Sequence, residues 1–266
     1  MIVASAEKSE HDAFASSRIT LVFATICWFC ELSSLLNTNR TVDVQRAVEP
    51  VDDARALTVS KRWSSYKLGK QYPRKRLQAL AEERVPGTRW VVDLLLWDAL
   101  RVDCCVESIA GRLKGCTSQE GDELLLRMLN SKAHRWDRRW LRKRCESMVR
   151  QGYLDGLAVL LVCMRLARSA GNWKLNLAFE LYVNDSLLVL GVWLKRHGVA
   201  SALAAYYEGE FLPRYGSERL RYKFDGATYT CSIARYEELQ TKKEARIGRL
   251  LTLQEQVAAI HKLLRV

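Results

Sequence analysis

Between Asp53 and Glu82 the chain carries no acidic side chain, yet it holds Arg55, Lys61, Arg62, Lys67, Lys70, Arg74, Lys75 and Arg76. Residues 131–150 hold a second concentration, including Arg135, Arg138, Arg139, Arg142 and Lys143, against only Asp137 and Glu146. The two stretches contribute +8 and +6 to a chain of net charge +12, so the remainder is slightly acidic. The chemistry these cations offer is electrostatic: charge-assisted hydrogen bonds to phosphate or carboxylate. Gathered in two patches on a balanced chain, they are the footprint expected of a nucleic-acid binder.

Other reactive residue types form no recognisable constellation. His11, His134, His197 and His261 are scattered, with no H-E-x-x-H spacing. The chain lacks a G-x-S-x-G elbow, a phosphate-cradling glycine loop and a dinucleotide fingerprint, so neither an enzyme nor a cofactor is expected. Cys27 and Cys30 have C-x-x-C spacing, and Cys104, Cys105 and Cys116 are the remaining candidates for a zinc site. The first pair lies in an apolar helical run without knuckle turns, so reduced thiols packed as small hydrophobes are favoured and no metal is expected. Without a secretory signal, that implies a reducing, cytoplasmic setting. Glu31, Glu180 and Asp185 adjoin apolar residues but read as surface or capping groups.

These side chains must be positioned mostly by helices. Four prolines in 266 residues and 3- to 4-residue apolar spacing predict a mainly α, multi-helical protein. Residues 1–16 read as a mobile leader, 17–87 as a nucleic-acid-binding domain and 88–266 as a larger helical domain. The longest apolar run, Ile19–Cys30, is too short to span a membrane and reads as a buried helix, so no membrane association is expected. In the second domain, helices are expected at Arg135–Arg150, Leu154–Ala170, Asn172–Tyr182 and Ser186–His197. Leu220–Phe224 and Ala227–Ile233 alternate apolar and polar residues around Asp225-Gly226, which predicts one β-hairpin over about 220–233. The tail, Ala234–Leu264, returns to a helical pattern. Its stripe of Leu250, Leu253, Val257, Ile260 and Leu264 admits a homodimer seam, although packing on the protein's own core is favoured.

Residues Val59–Thr88 read VSKRWSSYKLGKQYPRKRLQALAEERVPGT. This segment resembles the recognition-helix half of lambda-repressor-like helix-turn-helix domains. Ser60 would start the helix, Trp63 and Tyr66 would pack inward, Gly69 would stop it, and Pro73 would open the next helix, sealed by Leu77 and Leu80. Trp63 and Tyr66 share a helix face, which leaves Lys61, Arg62, Ser64, Ser65 and Lys67 to project from the other side. Arginine and hydroxyl side chains on a short helix suit a major groove. Lys70, Arg74, Lys75 and Arg76 would contact phosphates, which position without specifying sequence. The resemblance implies a double-stranded DNA-binding regulator, with DNA favoured over RNA as the partner. The alternatives are a non-catalytic subunit of a nucleoprotein or defence assembly that grips the phosphate backbone, and an adaptor whose basic helix 131–150 meets an acidic protein.

Overall fold

The computed structural model describes residues 2–50, 53–130, 136–218, 224–249, 251–252, 255–256 and 258. Side chains are described from Arg18 onward, apart from those of 53–59. Among the described residues the protein is mainly helical and contains no strand. It divides into two compact units: Met1–Trp97 with Arg196–Val199, and Asp98–Lys195 with Ala200–Val266.

In the first unit α1 spans Ile2–Leu35, α2 Thr41–Val48, α3 Asp53–Lys67 and α4 Lys75–Arg84, followed by the short α5, Arg89–Val92; the division falls within the next helix, α6, Leu95–Leu100. Helix α1 therefore takes in residues read above as a leader. Its buried stripe, Phe23, Ala24, Cys27, Trp28 and Leu32, follows the helical period. Asn37 stops it with φ +49, a left-handed conformation that asparagine tolerates better than most residues. Trp28 is the hub of the core. It stacks on Trp63 of α3, ring centroids 5.8 Å apart, and Tyr66 meets both indoles edge-on. Val44, Val48, Ala81, Val85 and Val92 close this core, with Leu77 and Leu80 at its margin.

In the second unit α7 spans Val106–Leu113, α8 Gln119–Asn130, α9 Arg138–Gln151, α10 Leu154–Ser169, α11 Trp173–Arg196 and α12 Ala200–Tyr206. A π-helical turn, Tyr207–Phe211, leads into α13, Leu212–Tyr215, and α14 covers Gly226–Ile247. Helix α10 is buried at almost every position from Leu154 to Ala167 and packs against α7, α8 and α9. Its Arg165, 2% exposed, donates to the carbonyls of Ala99, Arg101 and Cys104 and lies over the Tyr215 ring at 4.7 Å. One cation thus ties an irregular segment to the core through otherwise orphaned carbonyls.

Several expectations are corrected. Ala227–Ile233 is not a strand but the first two turns of α14, and residues 219–223 lie outside the described residues. Asp225 caps this helix, accepting from the backbone N–H groups of Ala227 and Thr228 at 3.1 and 3.2 Å. Tyr229 and Ile233 are four apart, a spacing that suits one face of a strand or of a helix, and burial of Gln240 and Glu244 carries on the helical face. The helices expected at Asn172–Tyr182 and Ser186–His197 are one continuous helix, α11, Trp173–Arg196, in which Asn184 accepts from the buried Tyr207 hydroxyl at 3.1 Å. Residues 18–35 and α11 are each long and apolar enough to cross a membrane by length and composition. Within the fold α11 is 61% buried and encloses the polar Asn176, Glu180 and Ser186. Leu250, Leu253, Val257, Ile260 and Leu264, the apolar stripe of the tail, fall outside the described residues.

Candidate nucleic-acid interface

The corner between α3 and α4 is built by a local code. Burying Trp63 and Tyr66 against Trp28 fixes the roll of α3 and turns Lys61, Ser64 and Lys67 to solvent. The helix closes in a Schellman motif, with Gly69 N–H donating to Tyr66 O at 2.9 Å and Lys70 N–H to Ser65 O at 2.8 Å. Gly69 has φ +65, and a β-carbon there would lie 2.6 Å from Val22 on α1. The next turn is pinned by Gln78, whose side-chain amide donates to Pro73 O at 2.7 Å. Lys70, Arg74, Lys75 and Arg76 are all exposed around this turn. Among the described residues, no ion pair engages Lys61, Lys70, Arg74, Lys75 or Arg76. Lys67 donates to Asn39 O at 3.3 Å.

The expected base-reading residues are placed differently. Helix α3 runs unbroken from Asp53, so Ser60 is internal to it and does not start it. Arg62 is drawn back against Glu49 at the end of α2, in an ion pair whose side chains are both partly exposed. The indole N–H of Trp63 donates to the same carboxylate oxygen at 3.3 Å. The Glu49 hydrogen bond pushes the Arg62 guanidinium up, outweighing burial. Ser65 donates to Lys61 O within its own helix at 3.0 Å. Of Arg62, Ser64 and Ser65, only Ser64 stands exposed, with no side-chain partner among the described residues. Arg62 and Glu49 instead line a cleft of about 520 Å³ with Tyr66, Gln71, Arg74 and Arg76. Three guanidinium groups and one carboxylate suit a phosphate-sized anion better than a base edge. Glu49 had no signal in the sequence, because the pair closes through the packing of α2 on α3.

The second basic stretch is shorter than a helix over 131–150. Asp137 caps α9, accepting from Arg139 N–H at 2.9 Å and Trp140 N–H at 3.3 Å, and residues 131–135, including Arg135, lie outside the described residues. Burial of Leu141, Cys145, Met148 and Val149 leaves Arg138, Arg139 and Lys143 exposed, and no ion pair among the described residues engages them. Arg142 pairs with Glu146 at 2.6 Å, and Arg150 approaches the same carboxylate at 3.8 Å. Arg144 is withdrawn by Glu123 at 2.7 Å. Both clamps subtract cations from a patch that looked fully available in the sequence.

Among the described residues no three His, Cys, Asp or Glu side chains gather as a metal site. All eight cysteines are free thiols. Cys27 is buried, and burial pushes it up and away from the reactive thiolate range. Cys105 and Cys231 are exposed, whereas Cys145 is buried and pushed up to about 12 by desolvation. Glu31, partly exposed, pairs with His197 at 2.9 Å, and Glu180 is an internal group that accepts from Ser217 N–H. No protein-family model, curated protein or solved structure matches the chain.

Proposed function

We propose that the chain binds nucleic acid through its phosphate backbone, duplex DNA first, with the α3–α4 corner as principal contact. One observation carries this reading: Lys70, Arg74, Lys75 and Arg76 stand exposed around a single turn, with Lys61 exposed on the preceding helix, and no described carboxylate neutralises them. Cations left unpaired at such density repel each other, and an anionic polymer relieves that cost. The inward Trp63 and Tyr66 and the glycine-stopped turn support a helix-turn-helix-like positioning element. The pairing of Arg62 and Ser65 within the protein favours backbone gripping over base reading, and so a nucleoprotein or DNA-coating role over a strictly site-specific regulator. Arg138, Arg139 and Lys143 on α9 supply a separate contact.

The test is titration of the purified chain with labelled duplex DNA of random and fixed sequence across a salt series. Four phosphate contacts give a log–log slope near −3.6, roughly a 150-fold loss of affinity between 50 and 200 mM salt. Random and fixed sequences should bind within a few-fold of each other. A flat salt response defeats the proposal, and strong preference for one sequence restores base reading.

A further inference from the structure

The second unit holds a cleft of about 730 Å³ with a different lining from the corner described above. Its walls come from the start of α9 and the first turns of α11. Trp136, Trp173 and Tyr182 supply aromatic surface, and Leu141, Leu175 and Leu177 supply an apolar floor. Every charged residue on the lining is a cation: Arg138, Arg142 and Lys174.

The aromatic groups are not simply part of the core. Trp173 is 42% exposed although it sits at the first position of a long helix with buried faces available to it. The ammonium of Lys174 lies 5.5 Å from its ring centroid. Trp136 is tilted against Trp140 at 6.3 Å, and Trp140 is itself covered by the Arg127 guanidinium at 3.9 Å. The inner indole is thus held by a cation, which fixes the outer one at the cleft wall. Tyr182 is pushed up to about 12, chiefly by burial, so it is a neutral phenol that offers a hydrogen bond instead of a repelling charge.

A free phosphate would use the cations and leave the indoles idle. An aliphatic chain would use the leucines and leave the cations of the lining, of which only Arg142 is paired, with Glu146, unused. A planar ring joined to a phosphate uses both. We propose that this cleft holds unpaired bases of a single-stranded nucleic acid, with Trp173 and Trp136 stacking on base faces and Arg138 and Lys174 meeting the flanking phosphates. The site stands independently of the α3–α4 corner, since it lies within the other unit and reads a base face.

The experiment compares a short labelled oligothymidylate with an abasic strand of equal length and charge, both titrated with the full chain by fluorescence anisotropy. The thymidylate should bind about tenfold tighter, the contribution of one stacked base. Trp173→Ala should lower that ratio severalfold, Trp173→Phe should restore most of it, and Lys174→Gln should weaken both strands alike. Arg74→Gln/Arg76→Gln should lower duplex binding without moving the ratio, which separates this site from the first. Equal affinity for the two strands in the wild type, or an unchanged ratio in Trp173→Ala, overturns the proposal.

Discussion

Replacing Glu49 by glutamine should strengthen binding to duplex DNA, although it touches none of the exposed cations. In the folded chain Glu49 holds Arg62 in the cleft that Arg74 and Arg76 also line. Glutamine keeps an acceptor for the Trp63 indole N–H, so the α2–α3 junction retains that bond. The lost ion pair is partly solvated, its side chains 36% and 26% exposed, so the stability cost should stay at about 1 kcal/mol or below. The gain is one further guanidinium able to meet phosphate, worth about 1 kcal/mol, or fivefold, at low salt. The clearer signature is the salt slope, which should steepen by about 0.9, adding a roughly 3.5-fold loss between 50 and 200 mM salt. Isothermal titration or anisotropy on the same duplex reads both quantities. The double variant Glu49→Gln/Arg62→Gln restores the charge balance and should return to the wild-type slope. If Glu49→Gln leaves affinity and slope unchanged, Arg62 lies beyond reach of the ligand and the cleft is not part of the interface.

Gly69→Ala should cost about 2–3 kcal/mol in urea denaturation, because φ is +65 there and the new methyl group would press on Val22 at 2.6 Å; a loss below about 0.5 kcal/mol would contradict the close packing of this turn on α1. Arg165→Met should cost about 3 kcal/mol by the same measurement, since three carbonyls lose their donor, and a neutral result would mean that water replaces the guanidinium. Glu82 accepts from the N–H groups of Gly87, Thr88 and Arg89 at 2.7–2.8 Å, and these bonds, those from Gly87 and Arg89 foremost, hold its carboxyl below its ordinary 4.5. A lowered folded value makes this stabilisation complete above pH 4.5 and lost as pH falls through the folded value. The urea midpoint of wild type should therefore drop more steeply below pH 4.5 than that of Glu82→Gln, and parallel profiles would refute the assignment.

Local features were the legible ones. Trp63, Tyr66, Gly69 and Pro73 each impose a constraint within one turn of chain: an inward face, a left-handed stop, a break. The structure keeps all four, while the start assigned to Ser60 failed because nothing between Asp53 and Ser60 breaks the helix. The hairpin failed for a related reason. Asp-Gly serves a tight turn and a helix cap about equally well, and packing of Ile233 against Gly191 on α11, where an added β-carbon would lie 2.5 Å away, selects the helix.

Charge was half legible. Composition and order alone determined that this chain is mainly helical and that its positive charge sits in two segments, because the helical period and residue type are properties of the chain itself. Which of those cations face solvent was decided only by tertiary packing. Carboxylates distant in sequence, Glu49 beside Arg62 and Glu123 beside Arg144, arrive when helices dock, and an ion pair depends on separation in space, not along the chain.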